Sequence, residues 1–371
     1  MESHTIESRT EEMLLNIGPH HPSTHGVFRV TVKVDGERIT EAKSYLGYLH
    51  RGTEKLCEDF NYTQIVPYTD RLDYLAGMLN NYTLVHSVET LMGIEVPKRA
   101  EYLRVIAMEL SRICSHLVWW GTFVLDLGST TPFTWAFRDR EPIIQLLNAL
   151  SGSRMTFNYM RVGGVKWDAP EGWLEEVAAY IPVMRAKLKD YHTLVTHNEI
   201  FVDRIKDIGV YDGKKAIEYG ITGPNLRGTG IDFDLRKNQT YSVYDEFEFK
   251  TMVGESGTIT DRYNVRMGEI ETSLQIIEQA VAKIPEGEIM GTVPKIIRPQ
   301  EGEVYTRIES SKGELGVHLV SKGKDKPYRI HFRRPSFVNL QILDELLVGK
   351  SIADIPPILG AIDIVVGEVD G

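Results

Sequence analysis

The sequence predicts an α+β fold in which a core of long helices lies between two β regions, and three observations carry this. Apolar and polar residues alternate near the N-terminus at Phe28, Val30, Val32 and Val34, and again from Val304 onward. Between these regions apolar positions recur every three or four residues, the period of a helix with one buried face. Strands kept apart from helices along the chain exclude a doubly wound parallel sheet. The expected organisation is an N-terminal β hairpin region with a histidine loop (1–60), a helical core (61–290) and a C-terminal β-containing region packing back on the core (291–371).

Each element has a local cause. Asp35-Gly36 separates the alternating run ending at Val34 from a second beginning at Arg38, which reads as strand, tight turn and strand. From Arg99, the residues Leu103, Ile106, Leu110, Ile113, Leu117, Trp120, Val124 and Leu127 step by three and four, giving a helix of about seven turns that packs against other long helices. Gly128 stops it. Pro132 precedes a second helix, Thr134 to Leu150, which Gly152 ends. Two more helices are expected over 170–195 and 259–283. The alternations Val304, Thr306, Ile308, then Gly316, His318, Val320, then Tyr328, Ile330, Phe332, with Gly and Lys-Gly turns between, return the chain to β structure.

Composition narrows the function. The 371 residues carry a net charge of −10, which opposes a nucleic-acid partner held by bulk electrostatics. With 42% hydrophobic and 25% charged residues the whole chain is expected to fold. The two cysteines, Cys57 and Cys114, form no C-x-x-C pair, which fits a reducing compartment and leaves the chain unable to hold a metal cluster alone. The first residues lack the basic start and apolar run of a secretion signal, so the protein is expected to stay inside the cell. Leu117 to Leu127, the most apolar stretch, is too short to span a bilayer, so membrane contact is expected to go through partners. Gly228-Thr-Gly230 lacks the third glycine of a dinucleotide fingerprint, and neither a phosphate-binding loop nor a nucleophile elbow is present.

Three clusters are candidates for chemistry. In Asn16-Ile-Gly-Pro-His-His-Pro-Ser-Thr-His-Gly26 the prolines and glycines break any helix that would align His21 and His25 on zinc. What remains is a rigid loop presenting imidazoles for hydrogen bonding or proton donation, or one whose histidines merely satisfy the backbone. Asp70-Arg-Leu-Asp-Tyr74 is expected to head a helix, with Asp70 as N-cap and Asp73 at the positive helix end; Tyr74 is either a core tyrosine or a phenolic donor. Asp126 closes a long apolar helix at the negative end of its dipole, where it needs a partner such as a histidine unless it is simply exposed in a loop. Arg138 and Glu141 have the spacing of an ion pair along a helix. Arg51, Arg71 and Arg161 are either solvated or placed to stabilise a reduced, negatively charged centre.

Taken together, Gly18-Pro-His-His-Pro-Ser-Thr-His-Gly26, Gly47-Tyr-Leu-His-Arg-Gly-Thr-Glu-Lys55, Asp70-Arg-Leu-Asp-Tyr74, Leu125-Asp-Leu-Gly128, Ala136-Phe-Arg-Asp-Arg-Glu141, Arg161-Val-Gly-Gly164 and Asp363-Ile-Val-Val-Gly-Glu-Val-Asp-Gly371 resemble the D-subunit family of the proton-pumping NADH-quinone oxidoreductases, respiratory complex I, from about residue 12 to the end. That family is similar to the large subunit of nickel-iron hydrogenases, whose metal is held by two C-x-x-C pairs. The corresponding stretches here, 70–77 and 363–370, contain no cysteine, so the resemblance implies the hydrogenase fold without a metal site, its emptied cavity serving a quinone.

Carried over residue by residue, the resemblance implies that His25 and Tyr74 hydrogen-bond the quinone headgroup and that Asp126 pairs with His25. Arg51 and Arg71 fall near the iron-sulfur cluster of an adjacent subunit. The implied reaction is two-electron, two-proton quinone reduction by that cluster. The implied partners are the other peripheral-arm and membrane-arm subunits, at the cytoplasmic side of the plasma membrane, with no nucleic acid. Thr156 stands where many members carry a histidine near the cluster, which implies a low-potential acceptor, menaquinone. The 298–303 stretch lacks an insertion found in many relatives, and the chain ends at Gly371 where the family commonly ends in Arg. The competing readings are the same role with ferredoxin or another electron donor, a non-catalytic scaffold, and a hydrogenase.

Overall fold

The computed structural model describes residues 12–20 and 26–371. His21 and His25 lie outside the described residues. An antiparallel sheet opens the chain, with β1 (Glu12–Ile17), β2 (Arg29–Asp35) and β3 (Arg38–Tyr45) in that order. Val30, Val32 and Val34 are buried on one face, as alternation requires. The hairpin was legible in the sequence; β1 was not, because Met13 and Leu14 are exposed and give no alternating signal.

Two short helices follow, α1 (Thr53–Cys57) and α2 (Tyr62–Thr69), and then the turns of 70–76. Asp70 is the C-cap residue of α2 rather than an N-cap, a correction to the sequence reading, since the next helix, α3 (Gly77–Met92), begins only at Gly77. Asn61 caps α2 through a reciprocal capping box with Gln64, a stronger start than Asp70 offers.

The centre of the molecule is α4 (Lys98–Asp126), a helix of 29 residues and about 43 Å at 1.5 Å per residue. It packs against α3, against α5 (Thr130–Ser151) and against the later helix over 259–283; α6 (Trp173–Tyr191) in turn packs on α5 and on that later helix. The second predicted helix starts four residues early, at Thr130, because Pro132 in its first turn lacks only an N–H that the turn does not use. The predicted 170–195 helix begins at Trp173 and passes into a π turn, His192–Thr196. Between α5 and α6 the pairs β4 (Met160–Arg161) and β5 (Gly164–Val165) form a tight hairpin. Gly164 is required there: a Cβ would stand 2.0 Å from the Ile289 carbonyl oxygen.

Short helices α7 (Glu199–Ile205), α8 (Gly213–Glu218), α9 (Pro224–Arg227) and α10 (Leu235–Asn238) lead to α11 (Ile259–Lys283), whose bounds match the prediction and whose start is fixed by a Thr258/Asp261 capping box. The second sheet, β6 (Gly302–Ser310), β7 (Gly313–Ser321) and β8 (Arg329–Arg333), is antiparallel and covers α3. The chain closes with α12 (Pro335–Leu340), α13 (Leu343–Leu347), α14 (Ile355–Ile362) and α15 (Val366–Asp370). The link between α13 and α14 returns to the first sheet, where Ile39 N–H donates to the Lys350 carbonyl and Gly349 N–H to the Ile39 carbonyl, both at 2.8 Å. No helix among the described residues is long and apolar enough to cross a membrane.

The interior is unusually ionic. Glu109 on α4 accepts from Arg112, Arg236, Tyr244 and Ser273, all buried. Burial alone would raise its pKa, but Arg112 and Arg236 hold it down to about 2. Arg227 joins Glu309 and Glu269, and Glu269 meets His116 Nε2 at 2.9 Å. Such groups are tolerated because each charge has an opposite neighbour.

Candidate functional site

Four segments far apart in sequence converge around the 70–76 turns. The first is the loop after β3: Gly47 and Leu49 N–H donate to the Asp370 carboxylate at 2.8 and 2.6 Å, and the His50 ring contacts the Asp370 carbonyl through Nδ1 at 2.7 Å. This ties the Gly47–Lys55 motif to the C-terminal one. The second is α15 itself, whose Gly367 faces the carbonyls of Arg71 and Leu72; a Cβ would stand 3.2 and 3.0 Å from them. The third is Gly26, at φ +136°, where a Cβ would lie 2.6 Å from Val366 Cγ2. Only glycine combines that backbone with that approach, so Gly26 packs directly against α15.

The fourth segment is the turn between β6 and β7, which carries Lys312. Its ammonium is fully buried, 3.2 Å from Asp73 Oδ2, 3.9 Å from Asp363 Oδ1 and 2.9 Å from Ser115 Oγ on α4. Burial pulls its pKa down most strongly, yet Asp363, Asp73 and Glu368 together push it above the ordinary value, so the ammonium keeps its charge. Arg266 Nε lies 3.5 Å from Asp363 Oδ2. Lys312 therefore joins the 70–77 stretch to the 363–370 stretch. Sequence reasoning passed over it as a turn lysine, since Lys312-Gly313 carries no sign of burial.

Tyr74 is exposed, at 37%, and the core-tyrosine reading fails. Partial burial raises its phenol pKa, Asp73 raises it further and Lys312 opposes them, so the hydroxyl stays protonated and able to donate. Asp70 is buried and accepts Asn158 N–H at 3.0 Å through Oδ2, while Oδ1 has no hydrogen-bond partner among the described residues. Burial lifts its carboxyl to about 7 against the pull of Asn81, Asn158, Arg71 and Arg161.

Asp126 is the last residue of α4 and its side chain is exposed. Ser115, which holds Lys312, lies on the same helix, about 16 Å back along its axis. Arg51 Nη2 donates to the Arg71 carbonyl at 2.5 Å, and Arg71 donates to the Pro67 carbonyl. The Arg51 guanidinium thus lies on the Arg71 backbone while the Arg71 guanidinium turns to Pro67; both residues are exposed, and neither is in an ion pair with a carboxylate among the described residues. Arg161 instead folds back on Asn158 and Met160. The predicted Arg138–Glu141 pair does not form: Arg138 takes the adjacent Asp139 and Glu141 takes Arg154, because the bidentate geometry of each is better.

The donor set does not suit nickel. Cys57 and Cys114 are buried in separate elements with their thiols pushed up to about 12 by burial, and no cluster of His, Cys, Asp and Glu among the described residues has the arrangement of a metal site. A lysine ammonium stands between the two stretches instead.

Residues 126–371 match the family described as respiratory-chain NADH dehydrogenase, 49 Kd subunit. The NADH-quinone oxidoreductase D subunit of Geobacillus kaustophilus is 62% identical over 364 residues, covering 98% of this chain and 99% of its own length. The proteins of the same description from Bacillus anthracis and Bacillus cytotoxicus are 61% and 60% identical, each covering 98% of this chain and 100% of their own. With the family matched over more than half of the chain and the relatives over nearly all of it, the chain belongs to the 49 kDa (D-subunit) family of the respiratory-chain NADH dehydrogenases and is a component of an NADH-quinone oxidoreductase.

Proposed function

We propose that this subunit forms the quinone-reduction site of a proton-translocating complex I, with a hydrogenase-like fold whose metal position has become the floor of that site. The observation that carries the reading is Lys312, which touches Asp73 and Asp363, one from each stretch corresponding to a hydrogenase metal-binding run. A buried ammonium there leaves no room for a cationic metal and places its charge beneath the exposed Tyr74.

In this reading Tyr74 and His25 donate hydrogen bonds to the two quinone oxygens, and Asp126 orients the His25 imidazole and keeps it basic. Donors aimed at oxygens that gain negative charge stabilise the reduced quinone and then supply protons. Arg51 and Arg71, both exposed, suit the edge facing the adjacent subunit's iron-sulfur cluster, where cations favour an added electron. The other peripheral-arm and membrane-arm subunits complete the assembly, and the chain sits as a peripheral component at the cytoplasmic face of the plasma membrane. The three regions 1–60, 61–290 and 291–371 serve as histidine-loop bearer, core and floor.

A quinone with a photoreactive headgroup, activated in the assembled complex, is expected to label the segments around Tyr74 and α15. Label confined to other subunits overturns the assignment. Menaquinone is the acceptor this reading favours, since Thr156 offers no ionisable group to couple cluster reduction to proton uptake. The cluster potential in the assembled complex is therefore expected to be independent of pH, and a potential falling steadily as pH rises would refute the menaquinone argument.

A further inference from the structure

Beneath Tyr74 the buried charges do not balance. Asp73, Asp363 and Glu368 are three acids, and among the described residues the cations within ion-pair distance of any of them are Lys312 and Arg266. Lys312 lies against Asp73 and Asp363, and Arg266 against Asp363. Glu368 is the acid with no such contact among the described residues. It is fully buried on α15, its Oε2 accepts from Ser336 N–H at 3.0 Å and from the Ser336 hydroxyl, and its Oε1 has no hydrogen-bond partner among the described residues.

We propose that Glu368 stores the proton that restores Tyr74 after quinone reduction, with Asp73 as the relay and Lys312 partly offsetting the carboxylate left behind. The inference rests on the function proposed above. Three ionised acids beside two cations would leave one uncompensated charge in a dry interior, so one acid keeps its proton, and the one without a cation keeps it most cheaply. An unpartnered Oε1 is where that proton fits. The shift agrees: burial lifts the Glu368 carboxyl, Asp73 lifts it further, and Ser336 and Lys312 only partly offset them, leaving it at about 7. Among the described residues, the other charged groups at α15 include Arg51 at Gly367, Arg334 at Gly371, and Asp370, which serves the 47–49 backbone.

The step balances. Two electrons from the adjacent cluster reduce the quinone; the Tyr74 O–H breaks as one O–H forms, giving the hydroquinone monoanion and a tyrosinate, and the other headgroup donor proposed above supplies the second proton. Asp73, whose charge acts on both Glu368 and Tyr74, is the acid placed to relay the Glu368 proton to the tyrosinate. The new Glu368 carboxylate is only partly offset by Lys312, which favours its reloading by a solvent proton.

The test is Glu368→Gln in the assembled complex, which keeps the shape and the Ser336 contact but carries no transferable proton. Quinone-reductase kcat is expected to fall about 100-fold, in the range of a lost proton donor, with KM for quinone unchanged, and the ionisation near neutral pH is expected to vanish from the pH profile. Glu368→Asp is expected to restore part of the rate with a displaced profile. A wild-type rate and profile in Glu368→Gln overturn the proposal. Should that variant fail to assemble, infrared redox-difference spectra of wild type and Glu368→Asp decide: a protonated-carboxyl band that titrates near neutrality and moves in the Asp variant supports it, and its absence overturns it. If Tyr74→Phe also leaves the rate unchanged, the quinone site itself is misplaced; if only Glu368→Gln leaves it unchanged, the proton store alone fails.

Discussion

Replacing Tyr74 with phenylalanine is expected to lower quinone-reductase kcat in the assembled complex by about 100-fold, the range for removal of a positioned proton donor. Structure is not what this change removes. The ring is 37% exposed, so the substitution deletes one oxygen at the surface and leaves packing intact; exposed substitutions of this kind move stability by no more than about 0.5 kcal/mol. Complex yield and thermal stability should therefore match wild type while turnover falls. Because the phenol acts on developing charge, the loss should sit in kcat rather than in KM. His25→Ala should produce a loss of similar size, and the double variant should cost less than the product of the two, since both groups serve one headgroup. Full activity in Tyr74→Phe would favour a scaffold that only docks its cluster-bearing neighbours.

Lys312→Met should act in the opposite way, through stability. Met fills the volume, but Asp73 loses its only cation among the described residues and Asp363 keeps Arg266 alone. Breaking a buried ion pair from one side costs about 3–5 kcal/mol. A marked drop in the Tm of the complex is expected, recovered in part by adding Asp73→Asn, which removes the stranded charge.

The deficit should depend on pH in a definite direction. Without the ammonium, the buried Glu368 carboxyl loses a cation that lowers it and holds its proton to still higher pH in the folded chain, further above its unfolded value. Native protein then binds more protons over the interval between the two values, so stability falls as pH rises through it and recovers on acidification. Glu368 shows the same sign in the native chain: with its carboxyl near 7 against an ordinary 4.5, its contribution is fully present below 4.5 and lost as pH climbs to about 7. A Lys312→Met protein with an unchanged Tm at neutral pH would show that the ammonium is not needed to hold Asp73 and Asp363.

The sequence by itself determined the helical core between two β regions. Hydrophobic period is a local property: Leu103 to Leu127 had to form a helix with one apolar stripe, and Val30 to Val34 a half-buried strand, whatever they met. It also marked Tyr74 and Asp126 as chemically odd, and the order of its motifs named the family. Local signals misled where two elements competed for a residue. Asp70 reads equally well as a beginning and as an end, and the capping box at Asn61 settled which helix it closes.

Only the tertiary structure decided that Lys312, an ordinary turn residue by its neighbours in sequence, is fully buried between Asp73 and Asp363, and that Glu368 is left without a cation among the described residues. The physical reason is range. Helix and strand periods are written over neighbouring residues, whereas the protonation and charge of a buried group depend on which distant segments the fold closes around it.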